Sequence, residues 1–207
     1  RSSTFVVQRN AVWQQYSQYQ LTSANDYFTD RALDAGAVAN NSSLILNRSD
    51  ATTIANTISG SGSLTQAGSG TTTLTGDSSY SGSTTINAGV LSVAVLADGG
   101  ASSNVGASTN AASKLVLNGG TLQYTGGATS TDRLFSVGSS GGTLDASGTG
   151  AVHFTNTGSM DFNGQSGIRT LTLTGTNTGG NILATIIGDN GDATALTKTG
   201  AGTWVLT

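Results

Sequence analysis

The 207-residue chain carries 30 glycines, no proline, no cysteine and no glutamate, and only 9% of its residues are charged, against about 25% in an average globular chain. Its formal net charge is −3 and its 8 lysines and arginines are scattered singly, which argues against a nucleic-acid partner, because phosphate binding needs clustered cations. No apolar run approaches the ~18–20 residues of a membrane-spanning helix, and regularly placed Leu, Ile and Val argue against disorder.

Thr and Val fit pleated, half-buried surfaces, whereas Gly, Asn, Asp and Ser supply tight turns. Such a chain predicts many short strands joined by many turns. It begins at Arg1 without Met, as a processed form or an excised fragment does. Residues 1–40 stand apart. Half of the aromatics of the whole chain are Phe5, Trp13, Tyr16, Tyr19, Tyr27 and Phe28. Val12, Tyr16 and Tyr19 fit a helical stripe, while Trp13, Tyr19 and Leu21 fit one strand face. This region is expected to be an aromatic cap or lead-in coil, with a partner-binding aromatic surface as the alternative.

From residue 41 onward, apolar residues alternate in short runs. Leu44 and Leu46 form the first such pair. The strongest signal follows, and it is internal repetition. Leu64-Thr65-Gln66-Ala67-Gly68-Ser69-Gly70-Thr71-Thr72-Thr73-Leu74-Thr75 shares the frame L-T-x-x-G-x-G-T-x-x-L-T with Leu196-Thr197-Lys198-Thr199-Gly200-Ala201-Gly202-Thr203-Trp204-Val205-Leu206-Thr207. The first copy continues through Tyr80-Ser81-Gly82-Ser83-Thr84-Thr85-Ile86-Asn87-Ala88-Gly89-Val90-Leu91. The run Leu64 to Val93 resembles the autotransporter-associated β-strand repeat, also called the passenger-associated transport repeat. The C-terminal copy matches its first third and stops at Thr207, as a truncated repeat would. Weaker similarity to autotransporter passengers covers Leu115 to Thr178. The resemblance implies a parallel β-helix exported through an outer-membrane barrel, with no catalytic residues and no cofactor. It also accounts for the missing cysteines, since a passenger crossing the outer membrane unfolded should avoid disulfides.

Further alternating pairs are Leu91 with Val93, Leu115 with Leu117, Leu122 with Tyr124, Val152 with Phe154, Met160 with Phe162, Leu171 with Leu173, and Trp204 with Leu206. Residues i and i+2 of a strand share a face, so each pair should enter one core. Asn118-Gly119-Gly120, Gly141-Gly142, Gly148-Thr149-Gly150, Asn163-Gly164 and Gly179-Gly180-Asn181 supply the turns between them. A sandwich or barrel is the competing architecture. The repeats favour an all-β, right-handed parallel β-helix over residues 41–207, with three strands per coil. At ~20–30 residues per coil, seven to ten coils follow.

Four groups of residues invite chemistry. Gly76-Asp77-Ser78-Ser79 resembles a serine-protease nucleophile turn, but Ser79 replaces the expected Gly, and the lone His153 should point outward with no acid placed to orient it. Asp145 and Asp161 would suit a polysaccharide-cleaving β-helix if they met on one groove. Asp189-Asn190-Gly191-Asp192 is an oxygen-rich loop of a kind that can hold Ca²⁺, although it also makes a good turn without metal. Thr71, Thr72, Thr73, Thr84, Thr85, Thr172, Thr174, Thr176 and Thr178 suggest an outward hydroxyl ladder of the ice-binding type, but their sequence spacing is irregular, and Thr is an ordinary exposed strand residue. The expected function is therefore a non-enzymatic, extracellular stalk or adhesin segment on a bacterial cell surface that supports passenger export, with a host or matrix ligand as possible partner. The alternatives are a self-associating filament or matrix subunit stacked end to end through Trp204 and Leu206, and a polysaccharide-active β-helix enzyme using Asp145 and Asp161.

Overall fold

The computed structural model describes residues 36–207 together with the backbone of Gln18–Thr22. The chain winds as a solenoid of short parallel strands that collect into stacked faces. A first face carries Gln18–Thr22, Ser43–Asn47, Ser63–Gln66, Thr84–Ile86, Leu115–Leu117 and Ser136–Val137. A second face carries seven strands: Thr52–Ile54, Thr71–Leu74, Val90–Val93, Thr121–Tyr124, Gly142–Ala146, Arg169–Thr174 and Thr194–Lys198. A third face holds Thr129–Thr131, Val152–Phe154, Asn181–Leu183 and Trp204–Leu206. Lower on the rod, Val38–Ala39 pairs with Ile58–Ser59. Counted on the second face there are seven coils, and at ~4.8 Å per step they make a rod about 30 Å long.

Alternation builds the core. On the second face Thr72, Leu91, Leu122, Leu144 and Leu173 stand in register and point inward. On the first face Leu46, Gln66, Ile86, Leu117 and Val137 do the same. A fully buried Leu, Ile or Val contributes roughly 1.5–3 kcal/mol. Each coil supplies only a few such residues and covers them with the next coil, so stability is a property of the stack.

One expectation is corrected here, and the three-strand coil carries one local variation. Met160 and Phe162 do not form a strand. Ser159 and Asp161 make only isolated bridges, to Ile186 and Ser136, because Asn163 (φ 54°) and Gly164 (φ 65°) turn the chain through the left-handed region at once. The three-strand coil is also interrupted between Ile58–Ser59 and Thr129–Thr131. There residues 77–81 bond the coil below through Ser79 N–H to Ile58 O and Ser81 N–H to Gly60 O. Residues 94–111 then leave the coil as an excursion.

The repeated motif is a corner rather than a face. Its first copy runs from the first face (Ser63–Gln66) to the second (Thr71–Leu74), whereas its second runs from the second face (Thr194–Lys198) to the third (Trp204–Leu206). The motif glycines have one physical cause: a Cβ on Gly68 or Gly70 would collide with the backbone of Arg48 or Asp50 in the coil below. The third motif position has inward parity in both copies and closes the turn, buried at Gln66 and exposed at Lys198. Gln66 Nε2 donates to Gly68 O at 2.9 Å and Gly70 O at 3.3 Å. Lys198 Nζ donates to Thr199 O at 2.6 Å and Gly200 O at 2.9 Å.

Candidate binding surface on the second face

The second face carries seven strands, and the positions of outward parity form two rows along the rod. One row is Thr71, Val90, Thr121, Thr143, Thr172 and Thr197, each opposite the next. The other is Thr53, Thr73, Ser92, Gln123, Asp145 and Thr174, interrupted at Ser92, which is only 5% exposed. Of the threonines expected in an outward ladder, Thr71, Thr73, Thr172 and Thr174 fall in these rows, whereas Thr72 and Thr84 are buried and inward and Thr85 lies on the first face, because strand alternation turns every second residue into the core. Irregular coil lengths hid the rows: the step along the chain from Thr72 to its neighbour Leu91 is short, whereas the step from Val90 to its neighbour Thr121 is far longer. The ladder runs across coils and not along the strand. Thr176 and Thr178 fall in the loop after Arg169–Thr174 and take no part. Only the first row is threonine-rich; Gln123 and Asp145 occupy the middle of the second.

At the edge of this face, toward the first, lies an open groove of about 520 Å³. Its walls include Ser139, Ser140, Thr143, Ile168, Thr170 and Thr172, and glycine turns at Gly119 and Gly141 keep its floor free of side chains. Thr170 and Ser140 are exposed, and Ile168 is 74% exposed. The loop that presents Ile168 is held from beneath by Arg169, itself 3% exposed. Arg169 Nη1 donates to Val137 O at 2.9 Å, and Nη2 donates to Gln165 O at 3.0 Å, Gly167 O at 2.8 Å and Asn190 Oδ1 at 3.2 Å. Its guanidinium also covers the Phe162 ring at 4.6 Å, a cation–π contact. Gln165 Oε1 accepts from Ser139 N at 2.7 Å and Ser139 Oγ at 3.0 Å. The groove is therefore preformed, with a pinned loop, a hydroxyl of Ser139 held by Gln165, and one apolar lip.

A second buried arginine organises the excursion. Arg133 is 2% exposed and donates to the carbonyls of Ala97, Asp98, Ala101, Gly106 and Ser108 and to the Ser108 hydroxyl. Burial lowers its pKa, opposed by Tyr80, Asp132 and Asp98. Tyr80 is fully buried beneath the excursion, and its hydroxyl lies 2.6 Å from Thr84 Oγ1. Sequence reasoning missed both arginines, although the signal was present. Arg169 extends the inward parity of Leu171 and Leu173 by one step, and Arg133 stands between the buried Thr131 and Phe135.

The other candidates are not brought together. Ser78 is 2% exposed, not on a solvated turn; its Oγ accepts from Ile58 N at 3.1 Å, and its backbone bridges Ser103. His153 sits half-buried at an outward position on the third face, beside Ser130 and Ile182, in a later coil. Asp145 is on the second face, accepting from Gln123 Nε2 at 3.1 Å and from Ser147 Oγ. Asp161 bridges to the first face at Ser136, so the two carboxylates lie on different faces. In the 189–192 loop every polar side chain bonds protein. Asp189 accepts from Thr194 N, Asp192 from Gly167 N, and Asn190 donates to Gln165 O. Among the described residues no group of three or more metal-ligating side chains is assembled, and no helix is long and apolar enough to cross a membrane.

Stacked faces, glycine corners and coil-on-coil registers define the class: a parallel β-solenoid built from strand–turn–strand repeats. Residues 64–93 and 196–207 match the passenger-associated-transport-repeat family model. The chain is also 52% identical over 129 residues, 61% of its length, to the adhesin BmaC autotransporter of Brucella suis biovar 1 (strain 1330). The chain thus carries passenger-associated transport repeats at these two places and is similar to a segment of an autotransporter adhesin. It spans about 4% of the length of that curated relative. No solved structure matches it.

Proposed function

We propose that this segment is a rigid, non-enzymatic stalk of an extracellular, surface-displayed adhesin, and that its repeats assist export by folding coil upon coil. The observation that carries the reading is the match to an autotransporter adhesin across a solenoid whose coils each cover the one before. A rod that grows by nearest-neighbour addition can draw a chain outward as it folds, because each new coil is stabilised as it docks. Removing residues 64–93 from the full-length protein deletes two first-face and two second-face strands. Surface display, measured by antibody labelling of intact cells, and adherence should then fall at least tenfold. Unchanged display and adherence would overturn the reading.

A second reading is end-to-end stacking of the isolated segment. In the 207-residue chain Leu196 and Leu206 occupy inward positions opposite Leu171 and Leu183, yet are 40% and 53% exposed. Light scattering at several concentrations tests it. A mass that grows with concentration and stays monomeric in Leu206→Lys supports stacking, and a concentration-independent monomer refutes it.

A further inference from the structure

Building on the adhesive reading, we infer that the groove beside Ile168 and the threonine row that runs from it form a binding site for a neutral saccharide chain. The chemistry of the walls selects the class. Protein partners are anchored by aromatic or Arg side chains in desolvated pockets, and the groove offers a single exposed aliphatic side chain. An extended peptide adds to a free sheet edge, but the second-face strands that line the groove and carry the row are paired on both sides from Thr71–Leu74 to Arg169–Thr174. Nucleic acid needs clustered exposed cations, and Arg169, the one cation on the groove, is buried with its charge turned to loop carbonyls.

What remains is a ligand that is itself made of hydroxyls and C–H patches. Ser140, Thr143, Thr170 and Thr172 both donate and accept hydrogen bonds, and Ile168 gives a C–H face somewhere to rest. The volume of about 520 Å³ falls in the usual range of small-ligand sites. Beyond the groove, Thr143, Thr121, Val90 and Thr71 continue the surface in register at ~4.8 Å steps, so a chain laid along the axis meets hydroxyls at Thr143, Thr121 and Thr71 and one aliphatic step at Val90. The lip is costly to build: the coil that leads from Gly142 to its neighbour Leu171 is enlarged, and much of the added chain forms the loop pinned by Arg169. A spacer needs no such loop, whereas a site gains from a rigid wall.

The test is saturation-transfer NMR on the full 207-residue chain with cellohexaose, chitohexaose and maltohexaose. At least one should receive saturation. Ile168→Asp and Thr170→Trp, both at exposed positions, should weaken that binding at least tenfold with unchanged melting temperatures. Thr53→Trp, on the same face far from the groove, should leave it unchanged. No transfer to any of the three sugars, or transfer that survives both groove variants, overturns the inference. The outcome is separable from the adhesive reading. Sugar binding with adherence unaffected by loss of residues 64–93 would sink that reading alone, and lost adherence without sugar binding would sink the site alone.

Discussion

Arg133 has no carboxylate among its hydrogen-bond partners; backbone carbonyls of the 94–111 excursion take its N–H groups. Its worth therefore lies in the acceptors it satisfies. A buried carbonyl left without a donor costs about 1–3 kcal/mol. Arg133→Met strands several at once and should destabilise the chain by at least ~3 kcal/mol. Arg133→Lys keeps the charge but not the planar fork, so it should lose part of that amount. Urea denaturation of the three proteins checks the order. The phenols behave differently. Burial raises the pKa of Tyr80 and of Tyr124 above the ordinary value near 10. The folded chain then holds protons that the unfolded chain releases. Their contribution is intact below about pH 10 and is lost as pH climbs beyond it. Circular dichroism during an alkaline titration should show stability falling above that point. In Tyr80→Phe the fall should be shallower, from a lower starting stability because the Thr84 contact is gone.

The corner is the element that recurs, and its glycines are fixed by contact with the coil below. Gly70→Ala forces a Cβ into the Asp50 backbone and should cost about 1–3 kcal/mol, the range of overpacking. Gly36→Ala meets nothing within 4 Å and should be neutral in the same thermal melt. This element was largely legible in the sequence. Alternation placed Leu44, Leu91, Leu122, Val152 and Leu171 inward, and the repeat marked where the chain turns. The candidate surface was not legible, for two reasons. Coil lengths vary, so threonines in register on the rod are out of step along the chain. The groove also depends on Ile168 being held out by a buried arginine, and a lone Arg in a low-charge sequence reads as a surface residue until the inward parity of Arg169 with Leu171 is applied. Residues 1–40 stay largely outside this comparison: the aromatic cap or lead-in predicted there, Tyr19 included, falls on side chains beyond the described residues.

At the scale of the whole rod, the same inward leucine should be worth different amounts according to the coils on either side. Leu122 lies between Leu91 and Leu144 and is 2% exposed. In the isolated 207-residue segment Leu206 has Leu183 on one side only and is 53% exposed. Truncating a buried leucine costs about 2–5 kcal/mol, transfer and cavity together; truncating one that water already reaches forfeits only a fraction of that. In a stack governed by neighbours, the interior change has a second effect: it weakens both interfaces of its coil and lets the rod open there. Hydrogen exchange on the isolated 207-residue segment should show strongest protection in Thr121–Tyr124 and Gly142–Ala146 and weakest in Thr194–Lys198 and Trp204–Leu206. In Leu122→Ala protection should collapse locally in the middle coils and the melt should broaden or split. In Leu206→Ala both should be close to wild type. Equal effects of the two variants, with one sharp transition in each, would mean that the rod unfolds as a single unit, and that docking coil upon coil is not how its stability is organised.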